Sequence, residues 1–306
     1  MEKCLFLYNP YSGRGKIAKH ETSIVERLSE KFDVEVVQSA YAGNIGDEIR
    51  KNGALYHTIV VAGGDGTLNE AVDAVMSLAK KPVIGYIPVG TVNDLAHSLG
   101  ISTKIEDAVE NILQGQPFAH DVMKINDKYG IYVCCAGVFT ESSYATDQTV
   151  KKKMGKIAYF FHGLKKLFTT HSIQAKIIAE DQVIEGKYAI ILAPNSRYVA
   201  GFKINKRAIL NDGTVDLALV ECKGKNVGLG AILRVARIFA FGLPKKSKKK
   251  TKLFRLNEFK LEMSSEHSIN LDGEKTGQGS FEFKVEKAGI EILVPNIEKI
   301  TKYNQK

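Results

Sequence analysis

The sequence predicts an α/β part at the N-terminus, built on a doubly wound parallel sheet, followed by a β-rich antiparallel sandwich or barrel. Three observations carry that expectation. Apolar strands alternate with helical periodicity up to residue 121. From Asp121 onward strand-like runs follow one another with few helices between them. The stretch Ile59–Glu70 passes from a β-branched strand through three glycines into an amphipathic pattern, the strand–turn–helix that such sheets use at their ligand edge. A chain of 306 residues is long enough to bury a core in each of two domains.

Lys3–Tyr8 reads as a buried first strand, with Asn9–Pro10–Tyr11–Ser12–Gly13 as its turn and Arg14 and Lys16 on that loop. A helical pattern through Ile24, Val25 and Leu28 leads to a strand at Val34–Val37, with Ser39 just past its carboxyl end. Gly43–Lys51 reads as a short helix before the Ile59 strand. Leu68, Ala71, Val72, Val75 and Met76 then recur at helical spacing, and Thr67 and Glu70 stand at capping-box spacing. A fourth strand, Val83–Ile87, runs into Pro88–Asp94, where Thr91 and Asp94 also fit a helix cap. Ligands of open α/β sheets sit beyond the carboxyl ends of the strands, so Ser39, Gly63–Asn69 and Thr91–Asp94 share one edge.

The second part reads as strands at Val122–Ile125, Tyr129–Ala136, Ile173–Ala179, Val183–Leu192, Val215–Val220, Lys252–Arg255, Phe259–Met263 and Phe281–Val285. Helices interrupt it near Lys152–Phe168 and Val227–Phe241. Asn211–Asp212–Gly213 and Leu271–Asp272–Gly273–Glu274 both carry the Asp-Gly hairpin signal.

Glycines let main-chain amides approach a ligand, and a helix N-terminus adds partial positive charge, so Gly63–Thr67 suits a phosphate. A plain βα turn would look similar, but it needs no carboxylate between glycines, whereas a phosphate–Mg²⁺ site does. No Lys-Ser or Lys-Thr follows, which excludes a Walker A loop. Gly63–Gly64–Asp65–Gly66–Thr67 with Asn69–Glu70, and Gly90–Thr91–Val92–Asn93–Asp94 after it, resemble the diacylglycerol kinase catalytic family of lipid kinases. NAD kinases and phosphofructokinases share the core of the first loop, which alone fixes a superfamily only.

The resemblance covers nearly the whole chain. It implies a nucleotide-binding domain over 1–121 of the NAD kinase/phosphofructokinase type, rejoined by 289–306, and a lipid-substrate domain over 122–288. It implies ATP and Mg²⁺ as cofactors, with Ser39, Gly63, Gly64, Asp65, Gly66, Thr67, Leu68, Asn69 and Thr91 contacting the nucleotide. Asp94 follows as a further candidate for phosphate or Mg²⁺ work. The matched Asn-Asp-Gly segment implies a structural Mg²⁺ at Ile209, Asp212 and Thr214, and Asp272 of Asp272–Gly273–Glu274 is the implied catalytic base. The implied reaction is phosphorylation of diacylglycerol to phosphatidic acid. Phosphatidylglycerol, a sphingoid base, or a soluble NAD kinase-type substrate stay open as alternatives.

The net charge of +9 is clustered at Lys151–Lys153, Lys156, Lys165–Lys166, Lys245–Lys246 and Lys248–Lys250. Such clusters attract anionic membranes or nucleic acid. Pro244–Lys252 has no aromatic on which a base would stack, which makes nucleic acid the weaker option. In Lys151–Phe168, Met154, Ile157, Ala158, Phe161, Leu164 and Phe168 form one apolar stripe among lysines, suited to the protein's own core or to a membrane surface. The N-terminus lacks a signal-peptide pattern, and no apolar run reaches the roughly 20 residues of a membrane span. Four cysteines without metal-type spacing fit a reducing compartment. The expectation is a cytoplasmic protein held peripherally at the inner membrane face, its oligomeric state open, a homodimer included. Its seven histidines form no triad or metal pattern, and His120, beside Asp121, receives no chemistry.

Overall fold

The computed structural model describes residues 1–137, 171–180, 182–264 and 267–302. The expected amphipathic segment Lys151–Phe168, with its lysines, lies outside them.

Strands β1 (Glu2–Tyr8), β2 (Phe32–Gln38), β3 (Thr58–Gly63) and β4 (Val83–Pro88) form a parallel set in the order β4-β3-β1-β2. Alternate residues of β1 face opposite cores. Phe6 and Tyr8 pack with α1 (Lys16–Leu28) and α5 (Ile105–Gln114), while Leu5 and Leu7 pack with α2 (Asn44–Asn52), α3 (Asp65–Met76) and α4 (Asp94–Leu99). Burial on both faces is why β1, β3 and β4 read as apolar runs, whereas the edge strand β2 exposes Asp33 and Glu35. Helix α5 went unread in the sequence, although its inward Ala108, Val109 and Ile112 have helical spacing.

The β-rich part extends the same sheet. Its strands are β5 (Gln116–Ile125), β6 (Lys128–Gly130), β7 (Val133–Gly137), β8 (Ile173–Ala179), β9 (Gln182–Pro194), β10 (Val215–Glu221), β11 (Thr251–Leu256), β12 (Glu258–Met263), β13 (Ser268–Leu271), β14 (Glu274–Gln278) and β15 (Ser280–Val294). Most pair antiparallel and curl around a core that includes Met123, Ile177, Leu217, Leu261 and Phe283. The curl brings Gly130 against Leu271, so closely that a Cβ there would lie 2.4 Å from a Leu271 methyl. Helix α6 (Leu229–Phe241) covers the opposite face of β9 and β10 through Ala231, Ile232, Val235, Ile238 and Phe239. β15 links both parts: it pairs with β12 and β5, then runs parallel to β4 through Ile292 opposite Ile84. Helix α7 (Ile297–Thr301), capped by Asn296 Oδ1 accepting the Lys299 amide at 2.9 Å, returns Ile300 to the first core.

Three local expectations are corrected. The capping box fails, because α3 begins at Asp65 with Gly64 as its N-cap; Glu70 Oε1 instead accepts the Gly46 amide at 2.8 Å and fastens α3 to α2. The run Tyr129–Ala136 is two strands, broken where the amides of Ile131 and Tyr132 turn to a carboxylate, Asp272, rather than to a neighbouring strand. Asn211–Gly213 is a turn leading into β10, not a hairpin, whereas Asp272–Gly273 does close the β13–β14 hairpin, with φ of 51° and 94° at its two corner residues.

At the junction of the two parts, the Asp121 carboxylate accepts the amides of Gly213 (2.6 Å) and of Ala288 in the β15 bulge (2.8 Å). Beside it His120 is fully buried, with Nδ1 2.6 Å from the Asp121 carbonyl and Nε2 without a hydrogen-bond partner among the described residues. Burial, helped by the nearby Arg197 cation, pushes its pKa down to about 4. An unfolded chain protonates this residue at pH about 6.5, whereas the folded chain resists until about 4. The contribution of His120 to stability is therefore complete above pH 6.5 and lost as pH falls to 4, by about 3 kcal/mol at most. Urea unfolding of wild type and His120→Asn between pH 7.5 and 4.5 checks this. The variant should lose less stability on acidification, and parallel declines would remove the assignment.

Candidate functional site

The crevice beyond β3 and β4 is built on glycines. A Cβ at Gly90 would lie 2.6 Å from Gly64 Cα and 2.6 Å from Asn93 Oδ1, and one at Gly63 would lie 2.4 Å from the Thr67 Cβ. The two loops therefore touch backbone to backbone. Gly13, on the loop after β1, reaches the same place, where its Cβ would meet the Val89 carbonyl at 2.9 Å. Gly66, by contrast, faces open space.

Asp65 opens α3, and its Oδ2 accepts the Asn93 amide at 2.8 Å. The Asp-in-turn reading thus acquires a structural duty: this carboxylate caps the start of α4, where Asn93 sits in the left-handed region at φ 55° with no side-chain cap of its own. Burial raises the Asp65 pKa, and the amides of Asn93, Asp94 and Leu95 oppose it. Asp65 Oδ1, Asn69 Oδ1 and Asn93 Oδ1 are buried and have no hydrogen-bond partner among the described residues. Asp94 Oδ1 accepts the Gly201 amide at 2.8 Å, which ties α4 to the loop after β9. Ser98 and the buried Arg197 strengthen that tie, Ser98 Oγ accepting the Arg197 amide at 3.1 Å.

The other expected nucleotide residues occupy the same edge with different exposure. Ser39 follows β2, its amide bonded to the Tyr8 carbonyl and its Oγ donating to the Tyr41 carbonyl. Thr91 lies exposed on the bend after β4. The Leu68 side chain is in the core, so only its main chain faces the crevice.

Asp272 is 3% exposed, and its carboxylate accepts three successive amides: Ile131 at 2.5 Å on Oδ2, and Tyr132 at 3.0 Å and Val133 at 2.8 Å on Oδ1. Burial raises its pKa to about 7 against the pull of those amides, and the Asp65 charge adds to the rise. The Tyr132 phenol is pushed well above its usual value by burial and then by Asp272, Asp65 and Asp94. Three carboxylates from separate loops thus act on one side chain. Tyr132, Gly201 and Arg197 went unread in the sequence, since none belongs to a local pattern.

Asp212 stands apart. Its Oδ1 accepts the Thr214 amide (3.0 Å) and hydroxyl (2.7 Å), and its Oδ2 is paired with the Arg255 guanidinium, whose Nε also reaches Thr214 Oγ1 at 2.8 Å. The one carboxylate of the expected metal set Ile209, Asp212 and Thr214 is thus paired with the half-exposed Arg255 side chain. Among the described residues no three His, Cys, Asp or Glu side chains cluster as metal ligands.

The loop contact makes a direct prediction. Gly90→Ala forces Gly64 and Gly90 apart, with an overpacking penalty of about 1–3 kcal/mol. We expect a lower melting temperature together with weaker binding of a nucleotide triphosphate, read by calorimetry. Unchanged affinity would mean that the contact does not shape a binding site.

Comparisons with known proteins agree with this architecture. Residues 3–125 match the model of the diacylglycerol kinase catalytic domain. The chain is 32% identical over 310 residues to a diacylglycerol kinase of Staphylococcus carnosus, covering 99% of each protein. It is 29% identical to one of Bacillus subtilis, over 96% of this chain and 97% of the other. The crystal structure of a diacylglycerol kinase from Bacillus anthracis superimposes with a TM-score of 0.80 at 23% identity, over 97% and 98% of the two chains. That likeness shows a shared fold, and the sequence relatives carry the rest: this chain is a kinase that belongs to the diacylglycerol kinase family.

Proposed function

We propose that this lipid kinase transfers the γ-phosphoryl group of ATP to the hydroxyl of diacylglycerol, giving phosphatidic acid, with Mg²⁺ as its metal. The observation that carries the reading is a pair of buried oxygens, of Asp65 and Asn93, without hydrogen-bond partners among the described residues where two glycine loops meet, with a third on Asn69 one helical turn on. Buried acceptors without donors are costly unless a ligand completes them. An all-oxygen set with one or two carboxylates fits Mg²⁺, which keeps several waters and shares its shell with phosphate oxygens. When bound, the metal neutralises charge on the transferring group.

The chain's own residues do the rest. The first amides of α3 have no intrahelical partners, and beside open Gly66 they cradle phosphate oxygens at the positive end of the helix. Asp65 and Asp94 would repel phosphates by themselves, so a nucleotide enters together with its cation. Asp272 takes the proton of the lipid hydroxyl. Its Oδ2, with a single amide donor, keeps the open lone pair, and a pKa near 7 suits a base at neutral pH. The substrate lies in a bilayer, which fits peripheral attachment to an anionic inner membrane face. No helix among the described residues is long and apolar enough to cross a membrane. Labelled ATP offered with diacylglycerol, phosphatidylglycerol, a sphingoid base and NAD tests the assignment. Label in phosphatidic acid supports it, and label in NADP alone overturns it.

Asp65→Ala would strand the buried Asn93 amide as well as remove charge, so Asp65→Asn isolates the charge. It should leave the melting temperature nearly unchanged while Mg²⁺-dependent turnover falls by about 100-fold or more. Retained turnover would free Asp65 from the reaction.

Asp272→Asn likewise mixes effects, because an amide nitrogen would face a main-chain N–H, a loss of about 1–3 kcal/mol. The unaltered enzyme gives the cleaner measurement. A base must be ionised, so kcat/KM should rise with pH through about 7 and level off above it. A flat profile from pH 6 to 8 would argue against Asp272 as the base.

A further inference from the structure

Helix α6 is buried on one side only. Its outward face carries Leu229, Leu233 and Phe241, each 60% exposed or more, with Ala236 and Ala240 between them along an open groove. At helical spacing these residues make one stripe about three turns long, which is an unusual amount of large apolar surface for water to cover. Arg234 and Arg237 border it, and Arg237 lies over the Phe241 ring at 5.4 Å.

The sequence around the stripe is basic, although Lys250 lies 3.8 Å from the Glu221 carboxylate. From Lys223 to Lys252 the sequence has ten Lys or Arg and no Asp or Glu. Five of those lysines, Lys245–Lys246 and Lys248–Lys250, follow directly on the C-terminal end of α6. That end is locked to the loop after β9: the Leu243 amide bonds the Ile204 carbonyl at 2.7 Å, and Phe239 packs edge-on against Phe202. The same loop gives the Gly201 amide to Asp94 in the crevice. Residues 201–204 of that loop therefore contact both the candidate site and the end of the stripe.

We propose that the outer face of α6 is a membrane-docking element, with Leu229, Leu233 and Phe241 entering the acyl region of an anionic leaflet while the flanking cations meet lipid phosphates. An apolar stripe rimmed by cations suits that partner, since burial of the ring and leucines adds to electrostatic attraction. The proposal deepens the lipid-kinase reading by naming the surface that meets the bilayer, and its test needs neither ATP nor diacylglycerol.

The chain contains no Trp, so Leu233→Trp installs a unique reporter. With vesicles of phosphatidylglycerol and phosphatidylcholine, its emission should move to shorter wavelength and be quenched by brominated acyl chains. In parallel, Leu229→Ser/Leu233→Ser/Phe241→Ser should lose tenfold or more in vesicle partition at physiological salt. Its melting temperature and its activity on detergent-dispersed diacylglycerol should remain unchanged. Unshifted emission together with undiminished partition overturns the proposal. A triple variant that binds vesicles normally but changes from dimer to monomer in light scattering also overturns it, and gives the face to a second copy of the chain. Loss of kinase activity in every lipid format, with vesicle binding intact in wild type, would instead count against the reaction and leave the docking face standing.

Discussion

Buried carboxylates that accept main-chain amides hold this protein together. Asp65 takes the Asn93 amide, Asp94 that of Gly201, Asp121 those of Gly213 and Ala288, and Asp272 three in succession. Each joins segments far apart in sequence. A buried carboxylate is unfavourable by itself, and bonds from oriented N–H groups offset part of that penalty, helped at Asp121 by the Lys287 charge. Because Asp65, Asp121 and Asp272 still have raised pKa values, the compensation is incomplete. The residual field is concentrated where Asp65, Asp94 and Asp272 act together on Tyr132.

The same groups serve position and charge at once. Asp65 fixes the start of α4 with one oxygen and leaves the other without a partner. Asp272 breaks the strand run at residues 131–132 and forms the corner of the β13–β14 hairpin. A residue that shapes a loop cannot be removed without moving what the loop carries. For that reason the loss of side-chain charge and the loss of local structure are hard to separate here by alanine substitution alone.

Much of this was legible in the sequence where the signal is local. The parallel strands announce themselves because burial on both faces demands continuous apolar runs, as in Leu5–Tyr8 and Ile59–Ala62. Gly63 and Gly90 mark the crevice because a Cβ at either would clash with its surroundings. What sequence could not supply was the partner of each polar group. Thr67 and Glu70 have capping-box spacing, yet Glu70 prefers the Gly46 amide 24 residues away. Nothing near Asp212 in sequence points to its pairing with Arg255. Helix α6 gives itself away as amphipathic only when its inner face is known, since apolar residues occupy nearly its whole circumference.

β15 carries a mechanical meaning beyond its pairing. Fifteen residues of extended chain make a rod of roughly 50 Å, anchored by β12 at one end and by β4 at the other. Such a rod neither stretches nor slides past its neighbours without breaking its ladders. Its one irregular stretch is the bulge between Glu286 and Ile290, where Ala288 is left-handed and its amide is held by Asp121. The strand is one continuous covalent link from the curled sheet to the edge where β4 ends.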